Sequence, residues 1–383
     1  MKKNFIDYEI YENAARKIIS RDLNQFYEPE RLSPQGNYYP YFWAVLFVPF
    51  VLFGNLSLQL LGEGWGQYLG RLPFMLLFAG SYFYLIHFSW KNVYSEKFNN
   101  YLFKVMLILP TLFLINDAFM NSNIGVVLAA MLVFSFEQRE KRPILASFVL
   151  AAATVIKIYP ALLWGFYFWE RRFKQLIVTF LFSVFFYFGI PLMVEGWEKM
   201  IELSVNHRMA VANYDRQNGW AFDNPVFQNL PGTLMRYASM LSLSKVWAYR
   251  LSLGFPLLAV AIFLWPSFVK NMKSKISIEK SSKVFSLFMS LVPLLTPVSW
   301  FNMALFYLPM IAWVLKRALI EKKRSSQYFF LAFIVFYCLT TRDLVGVELC
   351  RKLQYYSVPF FGLLMLQIDF FMDLKKVMLK TKV

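Results

Sequence analysis

Long apolar runs leave this chain few folds to choose from. They lie near residues 41–57, 67–89, 103–136, 144–169, 175–194, 247–267, 285–315, 327–340 and 355–372. A hydrocarbon core takes roughly 20 helical residues to cross. Lipid admits only helices or closed barrels, because every backbone N–H and C=O must be paired internally. The runs are continuous rather than alternating, which makes them helices. Composition agrees: 58% of the 383 residues are hydrophobic and only 16% are charged, against about 45–50% and 25% in soluble domains. A soluble globule and a disordered chain are both excluded. The sequence therefore predicts an all-α, polytopic transmembrane helix bundle, one integral membrane domain over 1–383.

Three runs are too long for a single span, and each carries a break. Residues 103–136 break at Asn116, Asp117, Asn121 and Asn123; 144–169 at Lys157 and Pro160; 285–315 between Pro297 and Asn302. Non-helical backbone at membrane depth needs protein or water around it, so these are predicted turns lining a cavity. The net charge of +17 sits mostly in five short segments, 137–142, 170–174, 270–283, 316–324 and 373–382, which hold 20 Lys/Arg against 6 Asp/Glu. Short basic loops mark the cytoplasmic side, so the charge is a topology signal, with no nucleic-acid partner implied. Residues 1–40 carry six charges of each sign and 195–246 five of each. These balanced stretches are predicted to be extracytoplasmic: an amphipathic segment at 1–40 and a long loop at 195–246. About 11 spans satisfy the charge rule. No apolar signal-peptide core follows Met1-Lys2-Lys3; instead Tyr8, Tyr11, Ala15, Ile18 and Ile19 recur at helical spacing, as in a helix lying on a membrane surface.

Few chemical groups remain. Cys338 and Cys350 cannot make a disulfide scaffold, and with His87 and His207 they are too sparse for a thiolate–imidazole metal site. No nucleotide-binding loop is present, and no cofactor is called for. Asp7 has two readings: a cap on the helix over 8–20, or an active carboxylate. Lys157, inside AAATVIKIYPALL, either snorkels to the interface or serves a site, as ionisable groups in membrane runs generally do. Arg208 and Arg236 read equally as lipid-headgroup contacts.

The motifs carry a resemblance. Asp7-Tyr8-x-x-Tyr11-x-x-Ala14-Ala15, then Tyr38-Tyr39-Pro40, is similar to the opening of the glycosyltransferase family 87 group, mannosyltransferase-like membrane proteins of the GT-C class. Asn121-Ser122-Asn123 resembles that family's G-Q-x-N turn, with Asn121 in place of Gln. Lys157-Ile158-Tyr159-Pro160 matches K-x-Y-P. Gln228-Asn229-Leu230-Pro231-Gly232-Thr233-Leu234-Met235-Arg236 resembles N-Q-S-L-x-G-x-x-x-R, and Thr296-Pro297-Val298-Ser299-Trp300 resembles S-P-x-S-W. The chain departs from the family twice: no membrane helix precedes the aspartate, and Phe301-Asn302-Met303 stand where histidines tend to follow.

The resemblance implies a GT-C bundle with extracytoplasmic juxtamembrane helices, in a bacterial inner membrane. It implies transfer of a hexose, mannose by family, from a polyprenyl-phosphate donor to a glycan, glycolipid or protein acceptor. Asp7 would be the catalytic base. Lys157, Tyr159, Arg208, Gln228, Asn229, Arg236, Ser299, Trp300 and Asn302 would contact substrate. A flippase or transporter of lipid-linked saccharides, or a non-catalytic scaffold, would share the cationic groove without needing a base.

Overall fold

The computed structural model describes residues 6–23, 26–27, 39–93, 101–218, 224–271, 276–296 and 301–379. Among these there is no strand. The helices, in chain order, begin with α1 (Ile6–Ile19), α2 (Tyr41–Val93), α3 (Tyr101–Asn121), α4 (Gly125–Gln138), α5 (Pro143–Ile156) and α6 (Leu162–Trp169). Next come α7 (Phe173–Val184), α8 (Ile190–Glu195), α9 (Trp197–Asn218), α10 (Leu230–Met240), α11 (Lys245–Asn271) and α12 (Ile278–Leu295). The chain ends with α13 (Leu308–Leu319), α14 (Arg324–Phe333), α15 (Arg342–Val345), α16 (Val347–Tyr355) and α17 (Val358–Leu379). This is an all-α membrane protein. By length and composition, Tyr41–Val93, Phe173–Glu195 and Lys245–Val269 suffice to cross a bilayer, with α16 and α17, bent by 57°, as a fourth candidate.

The predicted apolar runs fall largely on helix among the described residues; α3 continues through Asn116 and Asp117, where a break was predicted, and the chain breaks only later in that run. Asn123 separates α3 from α4, an extended Lys157 ends α5, and α12 stops at Thr296. The stretch at 195–246, predicted as a loop, contains α9 and α10. Helix α9 is polar along much of its length and α10 has only 11 residues, so neither reads as an apolar run.

The chain forms two compact units. The first comprises residues 1–83, 118–161 and 174–221. Here α2 folds back on itself at Gly62, whose φ of +73° suits only glycine. The two arms then press together so closely that a Cβ on Gly70 would stand 2.8 Å from the Gly54 Cα. Helix α1 lies on these arms by its aromatic face. Tyr8 packs edge-on to Phe47 and Phe74, and Tyr11 packs against Tyr39, Trp43 and Phe47. Ala14 joins Tyr27, Tyr41, Leu203 and Ala210 in one apolar core, which seats α1 beside α9.

Helices α4 and α5 form a pair through the basic turn at 139–142. The Ser135 hydroxyl donates to the Ala146 carbonyl at 2.8 Å, and Gln175 donates to the Arg139 carbonyl at 2.7 Å. Each helix has 14 residues, so Asn123 and Lys157 lie at the same end, about 21 Å from the basic turn at 1.5 Å per residue.

The second unit comprises 84–117, 162–173 and 222–383. Its core carries a buried ion network. Arg317 on α13 reaches Asp369 on α17 at 3.0 Å, Ser326 on α14 donates to the same carboxylate at 3.1 Å, and Lys283 on α12 pairs with Asp373 at 2.8 Å. Four helices are thereby fixed by charges that apolar packing alone would not orient.

Candidate active site

The first unit gathers the motif residues nearest the chain's beginning with those of its middle. Asp7 lies inside the first turn of α1, where a negative charge also favours the helix dipole. Its carboxylate is held across the fold as well: the Asn123 amide donates to Asp7 Oδ2 at 2.9 Å. Asn123 is itself fixed, because its Oδ1 accepts the Gly125 N–H at 2.9 Å. A Cβ on Gly125 would stand 2.9 Å from that oxygen, so a side chain there would push the amide away from Asp7. The turn needs Ser122 at a φ of +53°, which polar residues reach at modest cost.

Lys157 is placed by the end of α5. Its backbone is extended (φ −144°, ψ 134°) while its N–H still bonds the Ala153 carbonyl. Pro160 then turns the chain through a short 3₁₀ segment, Tyr159–Ala161. The Lys157 Nζ stands 5.3 Å from the Tyr39 ring centroid and 5.8 Å from that of Tyr159. The Asp7 carboxylate lies within electrostatic reach of Lys157, Tyr11, Tyr39 and Tyr159 together.

The phenols on α1 do not compete as bases. Burial, then the Glu12 charge, pushes the Tyr8 hydroxyl up to about 12. Burial, then the Asp7 charge, raises the Tyr11 hydroxyl well above its ordinary range. Both keep their protons at neutral pH. The arrangement thus offers one carboxylate with an oriented oxygen and one ammonium with an aromatic lining. A carboxylate can take a proton from a hydroxyl, and an ammonium can neutralise a phosphate.

The remaining predicted residues are placed differently. Arg208 is exposed on α9, and its neighbour His207 bonds the Tyr187 hydroxyl at 2.9 Å. Gln228, Asn229 and Arg236 belong to the second unit and engage protein groups. Gln228 donates to the Pro225 and Gln354 carbonyls and accepts from the Phe360 N–H. Asn229 caps α10 by accepting from the Gly232 N–H, and donates to the Thr296 carbonyl. Arg236, 3% exposed, donates to the Ser357 hydroxyl at 2.7 Å and to the Asn224 and Phe227 carbonyls. Ser299 and Trp300 lie outside the described residues, as does the side chain of Asn302.

Two contributors had no predicted role, Asn123 and Tyr39. Both stand in the motif segments, Asn121-Ser122-Asn123 and Tyr38-Tyr39-Pro40. Their position there was the available signal; the contact of Asn123 with a residue 116 positions away was not.

The sequence model of glycosyltransferase family 87 matches residues 37–273. That span takes in Tyr39, Asn123, Lys157, Tyr159 and Arg236. No curated protein and no solved structure matches the chain. With a match over more than half its length, and motif residues of that span meeting around one lysine, the chain belongs to glycosyltransferase family 87 and is a membrane glycosyltransferase.

Proposed function

We propose that this protein transfers a hexose, mannose in the first instance, from a polyprenyl-phosphate donor to a hydroxyl of a glycolipid, polysaccharide or protein acceptor. The site opens to the extracytoplasmic face of a bacterial inner membrane. About 11 spans, with α1 and the segment at 195–246 outside, put the basic loops in the cytoplasm. Support for the sidedness comes from the position of Asn123 and Lys157 at the ends of α4 and α5 away from the basic turn 139–142.

The observation that carries the reading is the Asn123–Asp7 bond, which sets the carboxylate in the field of Lys157. The Asn123 amide orients the Asp7 carboxylate, and that carboxylate takes the acceptor proton. The acceptor oxygen attacks the anomeric carbon as the bond from that carbon to the phosphate oxygen breaks. One displacement inverts the centre and leaves polyprenyl phosphate, with the proton on Asp7. The leaving group is already ionised and needs charge stabilisation rather than a second acid; Lys157 supplies it as a mobile point charge. Tyr159 lines the lysine, and Ser299, Trp300 and Asn302 keep the substrate-contact role that the family resemblance gives them. Gln228, Asn229 and Arg236 hold the segment at 224–236 in place, because their polar atoms engage protein groups. Arg208 reads as a headgroup contact.

The test is purified full-length protein in lipid nanodiscs, given radiolabelled polyprenyl-phosphate hexoses and a membrane lipid extract. A labelled product with an inverted linkage is expected. Movement of labelled lipid between leaflets without a new glycosidic bond would instead identify a flippase.

A further inference from the structure

Lys157, like Lys283 over the Trp313 ring at 4.7 Å, lies against aromatic faces. Arg317 and Lys283 meet carboxylates. The Lys157 ammonium faces the ring of Tyr39, at 5.3 Å within the roughly 6 Å over which a cation is drawn to an aromatic face. Tyr39 is tightly determined. Its hydroxyl accepts from the Tyr11 hydroxyl at 3.1 Å, and the Tyr11 ring meets it edge-on at 4.8 Å. Its carbonyl accepts from the Tyr27 hydroxyl at 3.1 Å. Tyr27 in turn packs on the His207 ring at 5.2 Å. Helices α1 and α9 therefore both fix a residue that belongs to neither, just ahead of α2.

We infer that Tyr39 is a positioning residue that holds the Lys157 ammonium at the site for a lipid-linked phosphate by its ring face rather than by its hydroxyl. The inference rests on the proposed donor reading and adds to it how the cation is kept in place before substrate arrives. A lysine has four rotatable side-chain bonds and loses considerable entropy when ordered. A ring face orders it and leaves its N–H donors available to an incoming anion. Tyr159, whose ring centroid is 5.8 Å from the ammonium, adds a second ring to the lining.

The experiment measures binding of radiolabelled long-chain polyprenyl phosphate to the full-length protein in nanodiscs, beside kcat and KM for the sugar-loaded donor. Cation–π contacts are worth about 0.5–2 kcal/mol. Tyr39→Leu is therefore expected to weaken binding and raise donor KM by about 10-fold, with a smaller change in kcat. Tyr39→Phe restores most of the binding. Phenylalanines carrying one, two and three fluorines at position 39 keep the ring's shape and weaken its face, so binding declines stepwise along the series. Tyr39→Leu added to Lys157→Met weakens binding no further than Lys157→Met alone. A flat fluorination series, or a Tyr39→Phe protein as impaired as Tyr39→Leu, overturns the ring-face role while the donor reading stands. Should Tyr39→Leu fail to fold, the fluorinated series still decides the matter. A wild-type protein that binds no polyprenyl phosphate overturns the donor reading and this inference together.

Discussion

Two polar clusters, one in each unit, use the same kinds of residue to opposite ends. In the second unit Arg317, Asp369, Lys283 and Asp373 pair with one another, and Arg236 engages a serine and backbone carbonyls. In the first unit Asp7 accepts from an amide and lies within electrostatic reach of Lys157, whose ammonium meets aromatic faces. The pairs of the second unit tie four helices together; in the first unit an amide and two rings orient a carboxylate and an ammonium that act on each other.

The comparison breaks most readily at Asp7. Asp7→Asn keeps the shape and removes the base, so transfer is expected to fall about 10²–10⁴-fold with thermal unfolding in detergent unchanged. Full activity would make Asp7 a structural residue like Asp369. The converse substitution is Arg317→Met, which strands Asp369 at 0% exposure. It should cost about 3–5 kcal/mol of stability, measured by chemical unfolding, while the turnover of the folded fraction holds. Lys157→Met should then raise donor KM by roughly 10–100-fold, the worth of a charge-assisted contact. An unchanged KM would remove Lys157 from the site.

A smaller effect tests the scaffold alone. Gly70→Ala places a Cβ against the Gly54 backbone and should cost about 1–3 kcal/mol, lowering the unfolding temperature without changing donor KM. The smallest effect is in pH dependence. The folded state holds the Tyr8 proton up to about 12, against 10.0 for an ordinary tyrosine. The unfolded chain therefore releases that proton first, and this contribution to stability is present below pH 10 and is lost between about pH 10 and 12. Unfolding titrations should thus show no tyrosine-linked loss at or below pH 9.

Much of the architecture was legible because lipid imposes a coarse rule. A span must be apolar and about 20 residues long, and whatever interrupts it stands out, as Lys157 and Pro160 do within their run. Other elements carried no such mark. Helix α9 is polar along much of its length, and its contribution to the core comes from Leu203 and Ala210 meeting Ala14, nearly two hundred positions away. The segment Gln228–Arg236 was legible as a motif but not in its role. Whether an arginine grips a ligand or a carbonyl depends on what folds against it, here Ser357 and the Asn224 carbonyl.

By itself the sequence determined that this chain is a helical membrane protein and that Asp7, Lys157 and Tyr159 were worth watching. Hydropathy and cost in lipid are local properties of a residue, readable one window at a time. Only tertiary structure decided that Asn123 orients Asp7, that Tyr39 faces Lys157, and that Arg236 is a clamp. Those are distances between residues far apart in the chain, and they exist only after α1 has settled on α2 and the α4–α5 pair has brought its ends together.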